Sequence, residues 1–155
     1  MDFNILKERF SNIEIITAEN TFDKIRVESK DLISVMHFLK NAAEYDFDRL
    51  NTIIAVDLGD DFEVIYDLHS TVIGHKGRIS VLIERNSSKI HSVVEIYKSA
   101  YFDECEIFDL FGIVFDENPN LKRLFMPKGW IGHPLRKDYE QNDTRLAWNG
   151  GTCGK

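Results

Sequence analysis

Glu104 is the first candidate for chemistry in this sequence. It lies in an acidic, aromatic run from Ser99 to Ile113, and on a helical projection of about 100° per residue it falls between Phe108 and Phe111. A carboxylate in that position is partly desolvated and costly unless it meets a cation, for which arginine is the best-suited partner. Two roles follow. One is a general acid or proton relay, with His133 as the companion base. The other is an ion pair that pins the basic stretch further along the chain or a partner subunit. No second catalytic group stands at a fixed spacing to Glu104, which favours the ion pair.

The remaining reactive side chains form no recognisable constellation. His37, His69, His75, His91 and His133 include no pair at the spacing of a zincin helix, and no Cys or Asp joins them in a ligand motif. His69 and His75 flank a reversal and can meet across it, but loop histidines are usually solvated. Cys105 and Cys153 stand in unrelated contexts without a Cys-x-x-Cys, which excludes a self-contained iron–sulfur or four-thiolate zinc site and points to a reducing compartment. Gly74-His75-Lys76-Gly77 reads as a turn, not a phosphate cradle.

Charge carries more information. From Leu121 to Tyr139 there are Lys122, Arg123, Lys128, Arg136 and Lys137 against Asp138 alone, five bases against one acid, whereas the whole chain carries −7. Just upstream, Asp103 to Glu117 holds six acids and no base. Adjacent blocks of opposite sign give a field with direction, which orients an encounter and disfavours wrong partners. Internal pairing of the two blocks is the plainer reading, and the two are compatible. An acidic pI near 5.2 with no basic face outside this stretch argues against nucleic acid. No apolar run approaches the length of a membrane span, and Met1-Asp2-Phe3-Asn4 lacks the basic start of an export signal, so the chain is expected to stay where it is made.

The elements that must position these residues alternate along the chain. At 155 residues one self-sufficient core is expected. Phe3, Leu6 and Phe10 mark one face of a short opening helix; Ile13 to Thr17 and Phe22 to Glu28 read as strands. Ser29 is the expected N-cap of a helix running to about Tyr45, with Leu32, Val35, Met36, Leu39, Ala42 and Ala43 on its buried stripe. Thr52 to Val56, a strand with Phe62, Val64, Tyr66 and Leu68 on one face, and Ile79 to Glu84 follow, separated by turns at 58–61 and 74–77. The acidic run projects as a helix with two apolar stripes, Tyr101/Cys105/Phe108 and Ile107/Leu110/Phe111, so it is expected to be covered on two sides. The sum is an α+β fold: a two-layer sandwich of a mostly antiparallel sheet with helices on one face over residues 1–113, then an extended basic C-terminal tail over 114–155.

Three segments resemble one family. Ala100-Tyr101-Phe102-Asp103-Glu104-Cys105-Glu106-Ile107-Phe108-Asp109-Leu110-Phe111-Gly112-Ile113, Asn118-Pro119-Asn120-Leu121-Lys122-Arg123-Leu124 and, most specifically, Gly132-His133-Pro134-Leu135-Arg136-Lys137-Asp138-Tyr139 are similar to the 30 kDa subunit of respiratory complex I. The resemblance covers roughly Ser99 to Tyr139 in residues and the earlier part only in the order of its elements. Phe102 stands where the family usually has Trp, Cys105 replaces the arginine of Glu-Arg-Glu, and Glu117-Asn118-Pro119 stands for Gly-His-Pro. These departures leave open whether the branch is complex I proper or an energy-converting [NiFe] hydrogenase or formate hydrogenlyase.

The resemblance implies a non-catalytic, cofactor-free scaffold in the peripheral arm of a membrane-bound redox complex, on the cytoplasmic side of the membrane. It would pack against the large quinone-site or hydrogenase-like subunit and iron–sulfur subunits, which carry the iron–sulfur clusters and the quinone or nickel–iron site. The residues expected at interfaces or in structural roles are Glu104, Glu106 and Asp109 from the acidic helix, Lys122 and Arg123 after the proline turn, and Trp130, His133, Pro134, Arg136, Lys137, Asp138 and Tyr139 from the closing stretch. Pro134 restricts its neighbours to an extended path, and Arg136 is expected to grip a carboxylate, either Glu104 or Glu106 or an acid of a neighbouring subunit. Two other classes compete: a stand-alone acid–base enzyme using Glu104 and His133, and a ferredoxin-like ligand-binding module.

Overall fold

The computed structural model of the chain describes residues 4–10, 12–16 and 24–140. Its order is α1 (Asn4–Arg9), β1 (Glu14–Ile16), β2 (Lys24–Arg26), a 3₁₀ turn (Ser29–Asp31), α2 (Leu32–Asn41), β3 (Arg49–Asp57), β4 (Asp61–His69), β5 (Lys76–Glu84), β6 (Lys89–His91), α3 (Ala100–Phe111) and β7 (Val114–Asp116). Five strands form one sheet in the order β1-β2-β5-β4-β3, antiparallel except for β2 beside β5, and β6 and β7 pair in parallel as a separate two-stranded sheet.

Alternation in β4 and β5 makes the core. Phe62, Val64 and Tyr66 lie opposite Ile83, Val81 and Ile79, and all six are buried. Leu6 of α1 and Leu32, Val35, Met36 and Leu39 of α2 close over the same cluster. The alternate residues face the other way, where Lys24 pairs with Glu63 at 2.8 Å and Arg78 with Asp67 at 3.3 Å. A sheet with one apolar and one ionic face needs helices on one side only, and the mostly antiparallel two-layer α+β fold expected from the sequence follows.

The middle helix differs in its ends. Ser29 opens the 3₁₀ turn, and Asp31 takes the N-cap position of α2 without a side-chain cap bond. The helix stops at Asn41, whose side-chain amide donates to the His37 carbonyl at 2.7 Å, a local bond that competes with a further helical turn. Ala42 is extended, Ala43 is exposed rather than buried, and Tyr45 and Phe47 swing into the core instead. Phe3, Thr17 and Phe22 lie outside the described residues, as do residues 141–155 with Cys153.

The segment from 114 onward begins as a strand. Ile90 of β6 registers with Phe115 of β7, and both are buried. Residues 117–140 then run without further strands or helices past α3 to the turn between β3 and β4.

Candidate interaction site

The acidic run is α3, laid along the edge strand β3. Ser99 Oγ donates to the Leu50 carbonyl at 3.1 Å, and Asp103 Oδ2 accepts the Ile53 amide at 2.7 Å, so the helix satisfies groups that an edge strand would leave open. Its two apolar stripes have two different covers. Phe111 meets the Phe62 ring of the sheet with centroids 6.4 Å apart. On the other side Tyr101 and Cys105 donate to the Asn120 carbonyl, and Phe108 lies 6.4 Å from the His133 ring. The second cover is therefore supplied by the chain's own later residues.

Glu104 is fully buried, but no cation meets it. Its carboxylate accepts from Ser92 Oγ at 2.7 Å, the Val93 amide at 2.8 Å and Asn118 Nδ2 at 2.8 Å. The expected arginine partner is thus replaced by neutral donors from the loop between β6 and α3 and the turn after β7. Burial raises its pKa, and these three donors offset only part of that rise. The buried Tyr66 hydroxyl has no partner among the described residues; burial and the Glu104 carboxylate both raise its pKa.

Asp109, also fully buried, is the charged anchor of the region. One oxygen, Oδ2, accepts three successive amides, Leu124 at 2.9 Å, Phe125 at 2.7 Å and Met126 at 2.9 Å. Oδ1 pairs with Arg123 at 3.2 Å, and the same guanidinium donates to the Gly132 carbonyl at 3.1 Å through each of its terminal nitrogens. Burial would raise the Asp109 pKa, but the three amides and Arg123 outweigh it and hold the carboxylate ionised. Amides converging on one anion form a nest. Here the anion comes from the protein itself, and it closes the loop 123–132 at both ends.

The closing stretch caps the helix. The last carbonyls of an α-helix lack partners within it, and Gly112, left-handed at φ 73°, fills only that of Phe108. Residues 24 or 25 positions later fill the next: His133 Nδ1 donates to the Asp109 carbonyl at 2.9 Å, the Leu135 amide to Leu110 at 3.0 Å, and Arg136 to Phe111 and, at 3.4 Å, to Gly112. A cation at a helix C-terminus also complements its dipole. Burial, and then the nearby Arg136 and Arg123 charges, lower the His133 pKa, so the ring is neutral with its proton on Nδ1.

Arg136 therefore does not grip Glu104 or Glu106. Its guanidinium lies 5.2 Å from the Phe62 ring centroid, while Arg85 lies 4.7 Å from the same centroid. The local path also differs from the extended one expected around Pro134, because it turns twice through bonds from Arg136 N to the His133 carbonyl and from Tyr139 N to the Arg136 carbonyl, each 3.1 Å. Lys137 contributes its backbone amide to Asp57 Oδ2 at 2.8 Å, Asp138 pairs with Arg85 at 3.0 Å, and the Tyr139 ring packs on Gly132. Asp57, buried and paired with Arg85, has its pKa lowered to about 2, since that ion pair and the Lys137 and Gly59 amides outweigh the opposing effect of burial.

The other expected residues face outward or bridge. Glu106 is exposed at a groove of about 310 Å³ between β3 and α3 that Leu135 also lines. Lys122 and the Lys137 side chain are exposed; Pro134 is half-buried between two capping residues. Trp130 is half-buried, with an indole N–H that has no partner among the described residues. Glu104 and His133 engage separate partners, so the structure does not assemble them as an acid–base pair. Among the described residues no three His, Cys, Asp or Glu side chains form a group able to hold a metal. Sequence reasoning missed Ser92, Asn118, Asp57 and Arg85. Asp57-Leu58-Gly59 carries a turn signal, whereas Arg85 carries none.

Residues 25–145 match the family described as respiratory-chain NADH dehydrogenase, 30 kDa subunit. The chain belongs to that family. Among its relatives, an NADH-quinone oxidoreductase subunit from Trichlorobacter lovleyi is 42% identical over 119 residues, 74% of this chain and 72% of that protein. The corresponding NADH-quinone oxidoreductase subunit from Citrifermentans bemidjiense is 36% identical over 150 residues, 94% and 92% of the two chains. The fold is shared with a solved trypsin-resistant fragment (1–134) of Nqo5, at TM-score 0.67 and 24% identity over 76% of this chain and 97% of that one. It is also shared with a chain of the membrane-bound sulfane sulfur reductase, an archaeal respiratory membrane complex, at TM-score 0.70 and 21% identity over 90% and 84%. The sequence-based assignment to the 30 kDa family is thus correct.

Proposed function

We propose that this chain is a non-catalytic scaffold subunit of an NADH:quinone oxidoreductase-type complex, packed in its peripheral arm against the quinone-site large subunit and iron–sulfur subunits. Membership in the 30 kDa family supports the complex I-type assignment. The redox centres belong to the partner subunits, and this chain supplies shape. No described helix is long and apolar enough to cross a membrane. In this reading partner subunits hold the chain on the cytoplasmic side.

The observation that carries the reading is the division of labour in the tail. Arg123, Arg136 and the Lys137 and Leu135 amides are engaged by the body, while Lys122, Lys128 and the Lys137 side chain point outward. A segment fixed on one side and exposed on the other is suited to hold two bodies together. Affinity purification of the tagged chain from membranes of its own host tests it. Co-purification of iron–sulfur subunits with NADH- or ferredoxin-linked quinone reduction is expected. A lone monomer with turnover of its own would overturn the scaffold reading. If the neighbouring large subunit ligates nickel instead of binding quinone, the branch is the hydrogenase type.

A further inference from the structure

The loop from Arg123 to Gly132 combines two properties that seldom coincide, a fixed backbone and exposed apolar side chains. Asp109 holds the amides of Leu124, Phe125 and Met126, and Arg123 ties that end to the Gly132 carbonyl. A bond from Trp130 N to the Pro127 carbonyl at 3.1 Å forms the turn between them. Yet Phe125 is 59% exposed and Ile131 88% exposed. Large apolar side chains left in water on an ordered segment mark an interaction surface, and their ordering cost is met before any partner arrives.

The surrounding charge selects the kind of partner. Lys122 just before the loop and Lys128 within it are exposed and pair with no carboxylate among the described residues, whereas Arg123 and Arg85 pair with Asp109 and Asp57 and lie partly buried against the body. Unpaired cations around an apolar centre match an acidic rim around an apolar recess, which steers docking and rejects partners of the wrong sign.

We infer that Phe125 and Ile131 form a pre-organised plug that seats in an apolar pocket, rimmed by carboxylates, on a neighbouring subunit of the complex. This inference rests on the scaffold reading and names the contact through which the tail acts. The exposed side chains contribute little to the chain's own fold, so their removal separates docking from folding.

The test is reassembly. Complex isolated from a strain lacking this chain is titrated with purified parent chain, Phe125→Ala, Ile131→Ala, the double variant and Val72→Ala. Val72, also exposed, lies in the β4–β5 hairpin at the opposite end of the sheet and serves as the control. The plug predicts a dissociation constant raised about tenfold by each single substitution and about a hundredfold by both, unchanged thermal unfolding of the free variants, and no effect of Val72→Ala. Lys122→Glu with Lys128→Glu should slow association and flatten its salt dependence. If the parent chain fails to bind the depleted complex, the scaffold reading falls and the plug with it. If parent and alanine variants bind alike, only the plug falls. Loss of binding to anionic vesicles, or loss of a dimer of this chain, with reassembly unaffected, would likewise overturn it.

Discussion

Removing the Asp109 carboxylate is the sharpest perturbation of the tail. Hydrogen bonds to a charged group contribute about 1.5–3 kcal/mol each. Asp109 makes three to amides besides its pair with Arg123, but the amides share one oxygen and regain water when the half-exposed loop opens. Their sum is therefore far from additive, and Asp109→Ala is expected to cost about 3 kcal/mol, felt mainly as local opening of 121–132. That free energy corresponds to roughly a hundredfold larger open population. Trypsin reads the opening directly, because Lys122, Arg123 and Lys128 lie in the segment 121–132 and cleavage under native conditions follows the open fraction when reclosing is fast. Cleavage at these three sites, followed by mass spectrometry, should accelerate about a hundredfold in Asp109→Ala. Asp109→Asn should fall between, since its carbonyl still accepts the amides while its NH₂ faces the Arg123 guanidinium. Cleavage of Asp109→Ala at the parent rate, with an unchanged urea midpoint, would refute the nest as the loop's anchor.

Gly112→Ala combines a left-handed φ of 73° with a Cβ placed 2.5 Å from the His133 ring and 2.6 Å from Arg136 Nη2; a loss of about 1–3 kcal/mol should appear as a lower unfolding temperature and easier cleavage after Arg136. Asp57 has a folded pKa of about 2 against an ordinary 3.8, so the stability it contributes is present above the unfolded value and is lost as pH falls from about 4 to 2. The side chain is nearly inaccessible, so the full shift applies, and the urea-derived advantage of parent over Asp57→Asn should shrink by about 2 kcal/mol across that window. Glu104 has the opposite sign: its folded pKa is raised, the native state binds the extra proton, and stability falls as pH climbs past the ordinary carboxylate value. Glu104→Gln should flatten that decline in pH-dependent denaturation, and an identical slope in both proteins would show that Glu104 does not titrate anomalously.

Strands and their faces were readable because Phe62, Val64, Tyr66 and Leu68 alternate, and a period of two has one structural meaning. The two-sided cover of α3 was readable from the helical period instead: two residues apart on a helix, Cys105 and Ile107 cannot share one stripe. The partner of Glu104 was not, because a projection places a carboxylate among its helical neighbours and says nothing of Ser92 or Asn118, which arrive from the loop before the helix and the turn after β7. Arg136 shows the same limit. Its guanidinium suits carboxylates, but two carbonyls and an aromatic ring at a helix end satisfy it equally, and only the three-dimensional path of the tail decides between them.

The capping of α3 also has a consequence in time. The carbonyls of Asp109, Leu110 and Phe111 wait for His133, Leu135 and Arg136, so during synthesis the helix end stays open until some two dozen further residues have emerged. Helix end, closing stretch and loop then close together, and the loop that carries Phe125 and Ile131 takes shape only on a body whose sheet edge and helix are already in place. An unfinished or misfolded copy would lack the ordered loop, so docking through Phe125 and Ile131, as inferred above, would select completed molecules.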